Sequence, residues 1–248
     1  MTPEYPHLAN APIVEALIDF RVRLPANFDV RRLGVVSELI SKDYPKVEEQ
    51  RLIQGQFRFT PEGVVSAAQD RALHGFRMLG DEDRDIVQFR RDGFTFSRMK
   101  PYKNWESLFE EAWRLWDVYQ QVSQPKGITR LATRFINRLN CPASFALEDY
   151  FTAPPDVPDG VPDVFASFLQ RYVLYPVDGV TASVTIATEK ATTDEDLASI
   201  LFDIDCYVQR DIQVDDDDEI RSIFLKLRAM KNRIFFRSLT PWALEEFE

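Results

Sequence analysis

The stretch Ile13-Val14-Glu15-Ala16-Leu17-Ile18-Asp19-Phe20-Arg21-Val22-Arg23-Leu24 decides how the chain is read. Successive side chains of an extended backbone point to opposite faces. Val14, Ala16, Ile18, Phe20, Val22 and Leu24 therefore share one side, and Glu15, Asp19, Arg21 and Arg23 the other. This predicts a strand with one buried and one wet face. Pro25-Ala26-Asn27 ends it, and Asn27 or Asp29 offers a helix cap. Leu33, Val36, Leu39 and Ile40 then recur at helical spacing as far as Tyr44-Pro45.

Further strands are predicted around 47–60, 72–79, 85–91 and 93–99. The last two are joined at Asp92-Gly93, a pair that suits a type I′ turn because both central positions need positive φ. That turn would set Phe89 opposite Phe96 and Val87 opposite Arg98, with Gln88, Arg90, Thr95 and Ser97 on the wet face. Over 104–122, Trp105, Leu108, Phe109, Ala112, Trp116 and Tyr119 form an apolar helical stripe, read as a core anchor. Gln124-Pro125-Lys126-Gly127 ends that helix and divides the chain into 1–125 and 126–248.

The second part starts as the first did. Ile13 aligns with Ile128, Phe20 with Phe135, Arg23 with Arg138 and Leu24 with Leu139. After two inserted residues, Asn140 and Cys141, Pro25 aligns with Pro142, Ala26 with Ala143 and Phe28 with Phe145. A short helical piece follows near 147–151, then a Pro-rich loop over 153–162. Strands are read near 164–176, 180–189 and 199–210, and a helix near 217–237 carries Ile220, Ile223, Phe224, Leu227, Met230 and Ile234 on one side. Each part reads as strand, short helix, three or four antiparallel strands, long helix. The expected fold class is α+β, a tandem duplication with a curved antiparallel sheet and helices packed on one face, like the TATA-binding-protein saddle or a helix-grip fold.

In this alignment Glu15 matches Arg130, Asp19 matches Arg134 and Arg23 matches Arg138. If the first strands of the two copies pair antiparallel, acids of one meet bases of the other and set the register. Alternatively Glu15, Asp19, Arg21, Arg23, Arg130, Arg134 and Arg138 form a polar concave surface that holds a ligand or partner. Both readings stand on the sequence.

Of the 248 residues, 45% are hydrophobic and 12% aromatic, which excludes general disorder. No apolar run reaches the ~18–20 residues a bilayer needs, and the start has neither a basic nor an apolar leader region. Cys141 and Cys206 form neither a disulfide framework nor a CxxC motif, so a soluble, cytoplasmic protein is expected. The net charge of −10 sits in one place: between Asp194 and Glu219 there are eleven acids against one base, Arg210. Arg221, Lys226, Arg228, Lys231, Arg233 and Arg237 follow. A helix whose charges complement its macrodipole explains the switch, and a polar partner-binding surface is the alternative.

Two histidines, His7 and His74, are too few for most metal or nucleophilic sites, and no HExxH or Cys/His cluster occurs. Nor is there a GxGxxG, GxxxxGK[ST] or GxSxG motif. Asp81/Asp83, Asp83/Asp85 and Asp203/Asp205 could hold a divalent cation, but they read as solvated loop or strand-edge acids. No catalytic, cofactor-binding or metal-binding residue is assigned. Nucleic acid is disfavoured by the net charge, although the Arg221 to Arg237 stripe, or a face with Arg90, Arg130 and Arg134, would suit phosphates.

The run from Pro6 to Val22, with its Asn10-Ala11-Pro12-Ile13-Val14-Glu15-Ala16-Leu17-Ile18-Asp19-Phe20-Arg21-Val22 core, resembles the N-terminal signature of a sporadically distributed bacterial family of uncharacterised proteins of similar length. Phe96-Ser97-Arg98 through Pro101-Tyr102 and Trp105, Arg134-Phe135-Ile136-Asn137-Arg138, and Lys231-Asn232-Arg233-Ile234-Phe235-Phe236 with Leu239-Thr240 add to the resemblance. It implies no activity, cofactor or catalytic residue. Its patchy distribution would suit an accessory component of a mobile defence or toxin-antitoxin-like locus. The function expected is that of a non-enzymatic cytoplasmic binding protein that recognises a protein partner through the sheet face or the acidic 194–219 segment. The alternative is a small ligand or nucleic acid held in the saddle between the two repeats, and an unrecognised enzyme comes third. No membrane partner is expected, and a homo-oligomer is compatible with the sequence.

Overall fold

A computed structural model describes residues 5–60, 63–142, 145–158, 160, 165–189 and 197–248, with their side chains apart from 53–71, 81 and 197. In chain order, β1 (Ile13–Arg23) leads through a 3-10 turn to α1 (Val35–Ile40), β2 (Lys46–Thr60), β3 (Gly63–Leu79), β4 (Asp85–Arg90), β5 (Gly93–Met99) and α2 (Trp105–Ser123). Then come β6 (Gly127–Pro142), α3 (Leu147–Tyr150), β7 (Leu169–Val177), β8 (Val180–Glu189), β9 (Leu197–Ile212), α4 (Asp217–Ser238) and α5 (Pro241–Glu245). The strands form one curved, unclosed antiparallel sheet in the order β2-β3-β4-β5-β1-β6-β9-β8-β7. The first strands of the two halves, β1 and β6, pair at its centre, with Phe20 opposite Leu131 and Arg21 opposite Arg130. Each is flanked on its outer side by the last strand of its own half, β5 beside β1 and β9 beside β6.

The alternation in β1 places Ala16, Ile18 and Phe20 in the core. The Phe20 ring stacks on Trp116 of α2 at 4.2 Å between centroids and meets Phe224 of α4 at 5.2 Å. Both long helices thus lie on the Phe20 face, and one hydrophobic core runs beneath both halves. Each fully buried aromatic contributes about 1.5–3 kcal/mol by leaving water. Asn104 caps α2 by accepting from the Ser107 amide, and Gln124 ends it in the left-handed conformation at φ 48°. Asp216 caps α4, with Asp217, Asp218 and Glu219 in its first turn and Arg237 in its last. The charge switch in the sequence therefore follows the helix dipole.

Three local expectations change. Arg90 pairs with Gly93, so Arg91 and Asp92 are the central turn residues, and neither takes positive φ. Phe89 consequently faces Phe94 and Val87 faces Phe96, a two-residue shift that keeps the same residues on each face, but Arg90, Thr95 and Ser97 on the side expected to be wet are buried. Gly93 is a strand residue at φ 152°, where a Cβ would stand 2.0 Å from the Phe20 carbonyl oxygen. Close approach of β1, and not turn chemistry, requires that glycine. The type I′ geometry occurs at Asp178-Gly179 between β7 and β8, with φ of 53° and 80°. Leu39, placed in the buried stripe of the first helix, is 60% exposed, whereas Leu33, Val36 and Ile40 are buried. The strand expected from 164 begins, in the described residues, at Leu169. Asp194, Glu195 and Asp196 lie outside the described residues. Among the described residues no helix is long and apolar enough to cross a membrane.

Candidate functional site

The side chains nominated on the wet face of the central strands come together as an ion-pair network. Asp19, only 4% exposed, accepts hydrogen bonds from Thr95 Oγ1 at 2.6 Å, Arg21 Nε at 3.1 Å, Arg130 Nη1 at 3.1 Å and Arg90 Nη2 at 3.3 Å. Arg130 also holds Asp205 of β9 at 2.8 Å and lies 4.6 Å from the Tyr207 ring centre. Arg134 forks onto Asp203 at 2.8 and 2.6 Å, and that hydrogen bond raises its guanidinium above the ordinary range. Arg138 pairs with Glu189 of β8, Arg23 with Asp211 of β9, and Arg21 with Asp92. Burial raises the Asp205 carboxyl, against the pull of Arg130 and Arg134.

Among the described residues the expected pairing of a β1 acid with a β6 base is made by Asp19 and Arg130, and Arg23 of β1 also reaches across to Asp211 of β9. Arg134 turns instead to an acid within its own half, because β9 presents Asp203 and Asp205 two residues apart on the same face, and Arg138 reaches past β9 to Glu189 of β8. Glu15 acts on Arg134 only through its charge. Asp203 and Asp205 are thus partners of arginines at mid-sheet, and not solvated edge acids. Asp83 pairs with Lys46 and Asp85 with Arg98. The acidic segment is correspondingly divided: Asp203, Asp205 and Asp211 face arginines across the sheet, Glu219 pairs with Arg210, and Asp216 caps α4. The basic stripe is divided too. Arg221 lies 3.7 Å from the Trp113 ring centre, and Arg228 pairs with Glu106 at 2.9 Å and lies over Trp105.

Two concavities flank α2. The wider, of about 710 Å³, is lined in part by Tyr44, Asp85, Arg98, Glu111 and Arg114. Those groups satisfy one another: Arg98 forks onto Asp85, Arg114 pairs with Glu111, and the Tyr44 hydroxyl donates to Glu111 at 2.7 Å.

The smaller, of about 270 Å³, is not closed in this way. α4 forms one wall with Arg228, Lys231, Phe235 and Phe236, and the start of α2 brings Trp105 and Glu106. The segment from Tyr5 to Ile13 forms a strap across it. Tyr5 stacks on Phe236 at 4.7 Å, the Asn10 amide donates to the Phe247 carbonyl, and the Arg138 amide donates to the Pro12 carbonyl. Lys231 lies four residues after Leu227 and four before Phe235, on the buried stripe of α4. Its ammonium lies 4.1 Å from the Phe135 ring centre and has no carboxylate or other hydrogen-bond partner among the described residues. Burial, and then the charge of Arg228, pull its pKa down to about 7, while Cys206 pulls the other way.

Asn137, 1% exposed, belongs to the same wall. Its Nδ2 donates to the Phe202 carbonyl at 2.9 Å and to the Phe135 carbonyl at 3.4 Å, while its Oδ1 receives no donor. Exchanging the amide nitrogen and oxygen would set oxygen against two carbonyls, so the orientation is fixed by its neighbours.

No protein-family model matches the chain, and no curated protein matches it. Neither Lys231 nor Asn137 was nominated from the sequence as a site residue. Both carry the same readable signal, a polar residue on the apolar period of its element: Lys231 at helical spacing from Phe224 and Leu227, and Asn137 at strand alternation between Phe135 and Leu139.

Proposed function

We propose that the protein binds a small molecule in the cavity enclosed by α4, the start of α2 and the N-terminal strap. The observation that carries this reading is Lys231, a cavity-lining residue whose ammonium meets no carboxylate among the described residues, whereas Arg90, Arg130 and Arg134 on the sheet each hold one. A charge removed from water is costly unless something compensates it, and here the compensating group is left to the ligand. Each stretch that carries the family resemblance contributes to the wall: Pro6 to Ile13, Tyr102 with Trp105, Asn137, and Lys231 with Phe235 and Phe236. Cys141 and Cys206, both free and buried with thiol pKa values pushed up to about 12 by burial, suit a reducing cytoplasm.

We propose further that residues 1–125 and 126–248 derive from one duplicated unit. The mirrored strand order about β1 and β6, and the identities between the two first strands, support this.

A thermal-shift screen of a small-fragment library against the wild type and Ala11→Phe, which narrows the cavity, tests the ligand reading. Hits that raise Tm in the wild type and are lost in the variant are expected. A library without a single such hit ends it.

A second reading, recognition of a protein partner, is favoured by the edge strand β7, where Tyr175 is 93% and Leu169 72% exposed. Affinity purification with mass spectrometry tests it. Retention of a stoichiometric partner that Tyr175→Lys abolishes is expected, and unchanged recovery from the variant counts against this edge.

A further inference from the structure

Resting on the ligand reading above, we infer that the cavity takes a small organic monocarboxylate, with Lys231 receiving the acid group and the apolar body against Trp105, Phe235 and Phe236.

Charge decides the first part. Arg228 lies beside the cavity but is neutralised by Glu106 at 2.9 Å, so among the described residues Lys231 leaves one positive charge to be met. A monoanion matches it, whereas a phosphate monoester brings close to two negative charges into a place that can pair one. Geometry decides the second part. The Lys231 ammonium lies over the face of Phe135 and donates to no acceptor among the described residues. Shape decides the third. At about 270 Å³ the cavity is below the usual ~300–1,000 Å³ of drug-sized sites, so the ligand is a small molecule with at most one ring system. Trp105, stacked on Phe109, and Phe235, stacked on Phe202, present fixed aromatic surface to it.

Protonation is coupled to this binding. The titratable groups around the amine are Arg228 on α4, Glu106 on α2, His7 and Tyr5 on the strap, Tyr102 on the β5 to α2 connection and Cys206 on β9. With the cavity unfilled, the amine loses its proton near pH 7. A bound carboxylate favours the ammonium form and raises that value, so binding above about pH 7 takes up one proton.

The probes are 4-hydroxyphenylacetate, which carries acid, ring and hydroxyl donor, and its neutral partner 4-hydroxyphenylacetamide, titrated calorimetrically into the full chain. The acid is expected to bind at least tenfold more tightly than the amide at pH 6.5. Its Kd should be flat below about pH 6.5 and weaken by up to about tenfold per pH unit above pH 7. Lys231→Met, which removes the charge and keeps the volume, should abolish the difference between acid and amide. The pH profile of the wild type gives the same information without a variant. Acid and amide binding equally, at a Kd independent of pH and unchanged in Lys231→Met, overturns the acid class while the cavity reading stands. Absence of acid binding also overturns the class, and the fragment screen then decides the cavity reading separately. Inorganic phosphate binding more tightly than the acid overturns the monoanion assignment.

Discussion

The polar face around Asp19 and the cavity around Lys231 both withdraw charge from water, fully at Asp19 and in part at Lys231, and they treat it in opposite ways. At Asp19 four donors converge on one carboxylate, from β1, β4, β5 and β6, so the charge is compensated and the strands are tied in register. At Lys231 the partner among the described residues is the face of an aromatic ring. A complete network has little left to offer a ligand, and an incomplete one does. Charged residues are therefore poor pointers to a site until their partners are known.

Removal of Asp19 is the hardest test of the closed region. Asp19→Ala leaves the Arg90 guanidinium buried beside an empty acceptor position and should cost about 3–5 kcal/mol. Tm should then fall at roughly 2–4 °C per kcal/mol. A Tm unchanged within error in thermal denaturation would mean that the network holds nothing together. Arg134→Glu comes next. It sets a second carboxylate against the largely buried Asp203 and should cost about 2–3 kcal/mol, read from urea midpoints. Lost binding with an unshifted midpoint would return this face to the status of a recognition surface.

The open region responds in the opposite direction. Lys231→Met should stabilise the protein by about 1 kcal/mol at pH 7, because it removes a half-buried ammonium that meets no carboxylate among the described residues. The folded-state pKa of Lys231, about 7, lies below the unfolded value of about 10.4. Between the two the unfolded chain binds more protons, so wild-type stability rises with pH through that window. The Tm advantage of Lys231→Met should accordingly shrink from pH 7 to pH 9, and an advantage constant with pH would show that the amine is not desolvated. The smallest effect is expected at Arg138→Ala. Its pair with Glu189 is exposed, and the loss should stay below about 1 kcal/mol in the same denaturation experiment.

The sequence shows the closed region better than the open one. Glu15, Asp19, Arg21, Arg130 and Arg134 stand out because charged residues alternate with apolar ones, a pattern visible within a single strand. Their partners do not, since Asp203 lies far along the chain and meets Arg134 only when β9 has docked beside β6. Lys231 was read as one of six bases after an acidic run, which is a statement about linear neighbours. Its isolation is a statement about β6, α2 and the strap, none of which is adjacent to it in sequence.

What the sequence by itself determined was the period of each element, and with it the buried face of β1, the stripe of α2 and the dipole-matched α4. These follow from side-chain geometry within a few residues. Only the tertiary structure decided that Gly93 serves β1 and not a turn, that Arg134 belongs to Asp203, and that Lys231 lies over Phe135 with no acid beside it among the described residues. Each of these depends on which distant backbone lies within a few ångströms, and strand order, not local periodicity, sets that distance.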